Sequence, residues 1–338
     1  MAPRAGARLV PCIRCQWRTF STSYARLAGK DTKPKPEPTR ATPQEKSDEA
    51  PAQLSSAPRA YGKRIDEFTP TPLSRPIGMN YPPLEGENTG IDFRSLKQRR
   101  DDFVNYEKHL ARREHLKSQI SRPYFREWSN IDLHKGKTFI APPRLFRGDL
   151  SLYFPNLHGD TIAKRDNLAR DTTTVLEGKA SVVSVFGNVW AQNQVKTLVS
   201  KEANPDLHSV IEKSGGMAQF VQVNSEDNAL RNWLIWLFKR SLRKQVGKEN
   251  WDRYFIVRKG VSDEIRESIG LLNSKVGYTY LVDHECRIRW AASGPSLAEE
   301  REGLAKGVRR ILDEMAKEGV GKSYVRKSLV QAVPKQES

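Results

Sequence analysis

Apolar and polar positions fall into stretches of different rhythm along the chain. From residue 30 to residue 90, prolines at 34, 36, 38, 43, 51, 58, 70, 72, 76, 82 and 83 break any helical or strand period. The run Lys33-Pro34-Lys35-Pro36-Glu37-Pro38 reads as solvated polyproline, and residues 21–90 are expected to form a disordered linker, with the more apolar Leu73 to Leu84 lying along the folded domain. Residues 92–120 hold neither Gly nor Pro, and Leu96, Phe103, Tyr106 and Leu110 share a stripe. The spacing predicts one amphipathic helix within 91–122, packed on the domain by that stripe, with Arg99, Arg100, Arg112, Arg113 and Lys117 facing solvent. Arg122-Pro123 ends it.

From residue 145 to residue 320 the pattern is that of a folded domain. Ser151 to Leu157 reads as a short strand, followed by a turn at His158-Gly159-Asp160, and Thr172 to Leu176 as an edge or loop. Ala180 to Phe186 is rich in β-branched residues between Gly178 and Gly187, which predicts a buried strand. Ala191 to Ser200 and Asp206 to Ser214 read as helical, and Phe220 to Asn224 alternates as a strand does. Asp227 to Val246 predicts a strong helix closed by Gly247, and Tyr254 to Val257 is an apolar stretch. Gly277 to Asp283 and Cys286 to Ala291 predict a hairpin through a two-residue turn at His284-Glu285. After Gly294-Pro295, Ser296 is placed to cap a last helix, Leu297 to Lys317, and residues 321–338 form a tail.

A βαβ unit, then a β-hairpin, then a terminal helix defines an α/β class: a thioredoxin-like domain with a central mixed sheet and flanking helices. Redox members of this fold carry a CxxC or a reactive cysteine where the first buried strand passes into its helix, because the helix N-terminus stabilises the thiolate. Here that elbow reads Phe186-Gly187-Asn188-Val189-Trp190-Ala191, with no cysteine. Thiol chemistry is excluded there, and Cys286 is expected to be a small buried apolar residue.

Charge adds a location. Lys and Arg number 57 against 40 acidic residues, a formal net charge of +17, which favours polyanions in general. Residues 1–30 carry Arg4, Arg8, Arg14, Arg18 and Arg26 and no acid, the composition of a mitochondrial transit peptide, and Arg18-Thr19-Phe20-Ser21 suggests processing near residue 20. Cys12 and Cys15 fall within that peptide, leaving a single cysteine, as suits a reducing compartment. The six histidines show no HxH or HExxH spacing, and no GxxxxGK or GxGxxG occurs, so neither a metal nor a nucleotide cofactor is expected.

Tyr153-Phe154-Pro155-Asn156-Leu157, Ser184-Val185-Phe186-Gly187, Trp251-Asp252-Arg253-Tyr254-Phe255 and, above all, Gly277 to Asp283 with Cys286 to Ala291 resemble a known family. It is the fungal mitochondrial ATP synthase assembly factor family that acts on subunit a (subunit 6) of the membrane sector. The resemblance covers roughly residues 120–318. It implies a non-enzymatic chaperone, peripheral on the matrix side of the inner mitochondrial membrane, that binds newly made subunit a before it joins the c-ring. It implies no catalytic residues.

The helix at 227–246 is compatible with such a role. Trp233, Trp236 and Phe238 precede the cations Lys239, Arg240, Arg243 and Lys244, a pairing suited to a lipid headgroup interface or to an apolar client. These seven residues are the candidate membrane- or client-binding set. An alternative is an RNA-binding or ribosome-associated matrix protein, motivated by the charge, by the basic helix at 92–120 and by Trp290 set among Arg287, Arg289 and Tyr278. A thioredoxin-like or peroxiredoxin-like oxidoreductase is disfavoured by the empty elbow.

Overall fold

The computed structural model describes residues 54–92, 94–120, 123, 125–164, 169–225 and 239–320. The transit-peptide region and the C-terminal tail therefore lie outside the described residues.

Seven strands form one sheet: β1 (His158–Thr161), β2 (Ala169–Asp171), β3 (Ala180–Phe186), β4 (Ala218–Ser225), β5 (Tyr254–Val257), β6 (Tyr278–Val282) and β7 (Ile288–Ser293). Their order is β2-β1-β5-β4-β3-β6-β7. β3 pairs parallel with β4 and antiparallel with β6, and β6 pairs antiparallel with β7. The run β4-β3-β6-β7 is the thioredoxin-like sheet. β5 extends it parallel to β4, and β1 and β2 add antiparallel strands beyond.

Nine α-helical segments accompany the sheet among the described residues. They are α1 (Leu96–Val104), α2 (Tyr106–Ile120), α3 (Arg126–Ser129), α4 (Thr173–Leu176), α5 (Val189–Val199), α6 (Pro205–Lys213), α7 (Lys239–Val246), α8 (Asp263–Ser268) and α9 (Ala298–Glu318). α5 and α6 make the crossover from β3 to β4. Each starts at an asparagine whose side chain accepts an amide: Asn188 from Ala191 N at 2.8 Å and Asn204 from Leu207 N at 3.2 Å. The amide of Asn204 also donates to Arg301 O at 2.9 Å, tying α6 to α9.

Because β3 is covered on both faces, all seven of its residues are buried. Val182 and Phe186 face a cluster formed by α5, α6 and α9, with Val195, Leu198, Leu207, Leu304, Val308 and Ile311. Val183 and Val185 face the opposite cluster, where Leu54, Leu73, Ile77 and Met79 cover the sheet with Phe139, Phe154 and Ile265. The expectation of a disordered linker up to residue 90 is therefore corrected from residue 54 onward. Prolines remove the regular period there but not the burial. Gly78 N donates to Ser268 O at 2.8 Å, and Met79 and Tyr153 exchange backbone hydrogen bonds at 2.7 and 2.8 Å.

Residues 137–154 run along β7. Phe146 N donates to Arg289 O, Ile288 N to Leu152 O and Phe154 N to Cys286 O, so the sheet edge is satisfied by an irregular strap. Ser151 to Leu157 is this strap and not a regular strand, and the turn expected at 158–160 is β1 itself. The turn between β6 and β7 spans residues 283–287, longer than the two residues expected. Asp283 Oδ1 accepts the amides of Glu285 and Arg287 at 3.0 and 2.9 Å, and Cys286 takes φ +63° between them. Ser296 does not cap the last helix: its hydroxyl donates to Thr197 O, and Glu300 Oε2 accepts Leu297 N at 2.8 Å instead.

Glu300 also holds the strap. Its Oε2 lies 2.9 Å from Lys137 Nζ and its Oε1 accepts Ala141 N at 2.9 Å, while Lys137 Nζ donates as well to Ser293 O and Pro295 O at 3.0 Å. The two side chains are 7% and 3% exposed. Burial pulls the Lys137 ammonium below the ordinary lysine value, and Glu300 opposes that shift. A second hub sits at the other end of the sheet. Asn156 Nδ2 donates to Asp171 Oδ1 at 3.0 Å, His158 Nδ1 lies 2.7 Å from the same oxygen, and Gly86 N donates to Oδ2 at 2.8 Å. Burial alone would raise the Asp171 carboxyl, but these hydrogen bonds outweigh it and hold the pKa below its ordinary value of 3.8.

Two stability predictions follow from these hubs. Glu300→Ala leaves Lys137 as an uncompensated buried cation, so urea denaturation should show a loss of about 3–5 kcal/mol, part of which Lys137→Met combined with Glu300→Leu should recover. The Asp171 contribution is fully present above the ordinary carboxylate value and is lost as the pH falls through the lower folded value. Denaturation curves measured across that acid range should be flatter for Asp171→Asn than for the unsubstituted chain; equal slopes would remove Asp171 from the acid response.

Candidate functional site

The elbow between β3 and α5 is closed by glycines. A Cβ at Gly187 would lie 2.7 Å from Ser225 O and 3.2 Å from Ser274 O, so the chain turns into α5 against two neighbouring loops. Asn188 caps α5 and donates to Lys275 O at 3.3 Å. Across from it, Gly277 N donates to Gln194 Oε1 at 3.0 Å, and a Cβ on Gly277 would sit 2.4 Å from Ala191 O. The loop before β6 thus rests directly on the first turns of α5.

What the elbow presents outward is apolar. Val189 is 72% exposed and Trp190 37% exposed. The loop at 274–276 joins this surface to α3. Glu127 accepts Ser274 N at 3.0 Å and Ser274 Oγ at 2.6 Å, and Lys275 Nζ lies 3.7 Å from the Glu127 carboxylate and 6.0 Å from the Trp128 ring. Trp128 and Phe125 are also exposed. Trp128 lies beside Lys275, whose carbonyl accepts a hydrogen bond from Asn188 at the start of α5, so exposed residues of α3 and of the elbow meet the same loop. Reading the elbow only for sulfur missed this surface. Val189-Trp190 was its one local signal, and α3 reaches it only through tertiary contacts.

Cys286 is 1% exposed, and burial, with Glu177 and Asp283 adding to it, pushes its thiol up to about 12 from 9.0. It sits in the β6–β7 turn, away from the elbow. Among the described residues no group of three His, Cys, Asp or Glu side chains is arranged to hold a metal ion.

The seven candidate binding residues fare differently. Trp233, Trp236 and Phe238 lie outside the described residues. Arg243 is turned inward: its Nε donates to Ile162 O at 2.6 Å, and its guanidinium lies 5.7 Å from the Trp251 ring, whose Nε1 donates to Arg243 O at 3.0 Å. Lys239 is half-buried; burial and then Arg243 lower its pKa. Arg240 and Lys244 point to solvent. Of the four cations, then, two are available to a partner, and the reason is that Arg243 satisfies carbonyls at the end of β1.

The constellation that suggested base stacking is not a surface. Tyr278 and Trp290 are each 1% exposed and Arg289 is 6% exposed. Trp290 Nε1 donates to Pro142 O at 3.0 Å, and Arg289 bridges Phe146 O, Asp283 and Glu314.

A family model described as ATP10 protein matches residues 60–311. A protein of Eremothecium gossypii named mitochondrial ATPase complex subunit ATP10 is 29% identical over 245 residues, covering 72% of this chain and 86% of its own. The protein of the same name from Saccharomyces cerevisiae is 26% identical over 272 residues, 77% of this chain and 91% of its own. Solved structures with similar folds include a DsbF homologue from Corynebacterium diphtheriae, with a TM-score of 0.31, 16% identity, and coverage of 50% of this chain and 90% of that one. A secreted thiol-disulfide isomerase from Corynebacterium glutamicum gives a TM-score of 0.35 at 10% identity, covering 53% and 99%. At these scores the likeness carries no functional argument; the fold assignment stands on strand order and direction.

The buried thiol gives a direct check. In a Cys12→Ser/Cys15→Ser background, Cys286 should resist a thiol-titrating disulfide reagent at neutral pH until denaturant unfolds the chain. Stoichiometric reaction of the native protein would restore a thiol to consideration.

Proposed function

The chain belongs to the ATP10 protein family, and on that premise we propose that it is an assembly factor of the mitochondrial ATP synthase. In this reading it binds newly made subunit a of the membrane sector and holds it until that subunit meets the c-ring. It acts by binding and not by turnover. It works on the matrix side of the inner membrane as a peripheral protein; no helix among the described residues is long and apolar enough to cross a bilayer.

The observation that carries this reading is the elbow. A thioredoxin-like scaffold that does thiol chemistry presents sulfur at the start of the helix after its first buried strand. This chain presents Val189 and Trp190 there, beside Phe125 and Trp128. An exposed apolar surface of this kind favours association with another apolar surface. Trp233, Trp236 and Phe238, with the outward Arg240 and Lys244, are proposed as further contacts to the client.

Crosslinking in intact organelles tests the client. Photoreactive groups at positions 125 and 189 should capture subunit a shortly after its synthesis, and Trp128→Ser with Trp190→Ser should lower the yield severalfold. Capture of other proteins alone, with mature ATP synthase forming at the normal rate in the absence of this chain, would overturn the assignment.

A further inference from the structure

Six exposed large hydrophobic residues lie on the arm formed by α1 and α2. The sequence predicts one helix packed on the domain; the structure contains two, broken at Asn105, and neither is buried. Leu96, Phe103, Val104 and Tyr106 are between 69% and 83% exposed, and Leu110 and Leu116 are also exposed. Ser95 caps α1 with a reciprocal Gln98 contact, so the helix starts on its own local signals without help from the core.

Charge is distributed selectively on this arm. Asp92 and Asp102 are matched by Arg94, Arg99 and Lys108. Lys97, Arg100, Arg112, Arg113 and Lys117 are exposed and have no ion-pair partner among the described residues. At helical spacing Leu96, Arg100 and Phe103 share one face of α1, and Tyr106, Leu110, Arg113 and Lys117 share one face of α2. Glu107 and Glu114 flank the α2 face, each within one turn of Leu110. Apolar groups and unpaired cations therefore occupy the same faces, with the two α2 acids on one flank. A cleft of about 1360 Å³ at the junction is lined by Phe103, Leu116, Arg112 and Arg113 together with the paired carboxylates Asp92 and Asp102.

We propose that α1 and α2 are the surface that seats this protein on an anionic lipid bilayer. The inference rests on the peripheral membrane placement proposed above and says which part of the chain provides it. Three occupants compete for such a face, and its chemistry separates them. An apolar helix of a client would strand Arg100 and Arg113, neither of which has an acid three or four residues away, against hydrocarbon. A nucleic acid would accept the cations but gain nothing from Leu96, Leu110 and Leu116, whose aliphatic side chains do not stack on bases. The headgroup boundary of an anionic leaflet satisfies both at once: side chains enter the acyl edge while the guanidinium and ammonium groups meet phosphates.

The test is co-sedimentation of the full chain with vesicles of phosphatidylcholine alone or with a minority of phosphatidylglycerol. Binding should appear with the anionic vesicles and weaken as salt rises. A charge variant, Lys97→Gln with Arg100→Gln, Arg113→Gln and Lys117→Gln, should lower partition by on the order of a hundredfold or more. A second variant, Leu96→Ser with Leu110→Ser and Leu116→Ser, keeps every charge and should still lose about tenfold or more. Neither should alter the thermal unfolding of the domain. Vesicle binding by both variants equal to that of the unsubstituted chain would overturn the proposal. So would absence of anionic vesicle binding, or binding to an RNA homopolymer that survives the leucine variant while vesicles are ignored. The two readings fail separately. Vesicle binding as expected without a subunit a crosslink removes the client reading alone. A subunit a crosslink together with full vesicle binding by both variants removes the arm alone.

Discussion

The buried ion pair between Lys137 and Glu300 is where three parts of the chain that are remote in sequence become one body. Glu300 lies in the first turn of α9 and uses one carboxylate oxygen for the amide of Ala141 and the other for Lys137 and the amide of Leu297. Lys137 donates its remaining protons to the carbonyls of Ser293, the last residue of β7, and of Pro295. Ions this deeply buried are tolerated only when hydrogen bonds satisfy the remaining donor and acceptor positions, and here the backbone provides that satisfaction. The strap thereby acquires a fixed starting point, and from it runs along β7 to close the sheet edge.

That closure explains why the most distinctive block of sequence, Gly277 to Ala291, holds no exposed chemistry. Tyr278 Oη accepts the amide of Asn273, Tyr280 Oη donates to Ile269 O, Trp290 donates to the strap, and Arg289 neutralises Asp283 and Glu314. Aromatic and cationic residues in alternation look like a nucleic-acid surface when read along the chain. Packed, they are the polar interior of a hairpin pressed between the strap and α9.

Function is left to what the packing does not absorb. The elbow keeps the helix-start position that the fold uses for chemistry, yet it holds no cysteine, Gly187 and Gly277 bring loop and helix close together, and Val189 and Trp190 are exposed. The arm of α1 and α2 lies apart from this surface in sequence and in character: it combines cations with apolar side chains, whereas the elbow is dominated by aromatics around one lysine. The two surfaces differ in chemistry and lie on separate elements.

The sequence by itself determined the elements whose periods are strong and local. The β-branched run of β3, the alternation in β4, the hairpin strands β6 and β7, the helical stretches of α5, α6 and α9 and an elbow without sulfur could all be read directly. Tertiary structure decided the rest, because each remaining feature depends on contacts made at long range. Prolines erase any period in residues 54–79, so only the sheet face they cover reveals them as core. Asp283 lengthens the hairpin turn by accepting two amides that no spacing rule announces. Arg243 belongs to a basic cluster in the sequence but is drawn inward by the carbonyls of Ile162 and Ala163, and the stripe of α1 and α2, expected to pack, stays exposed among the described residues.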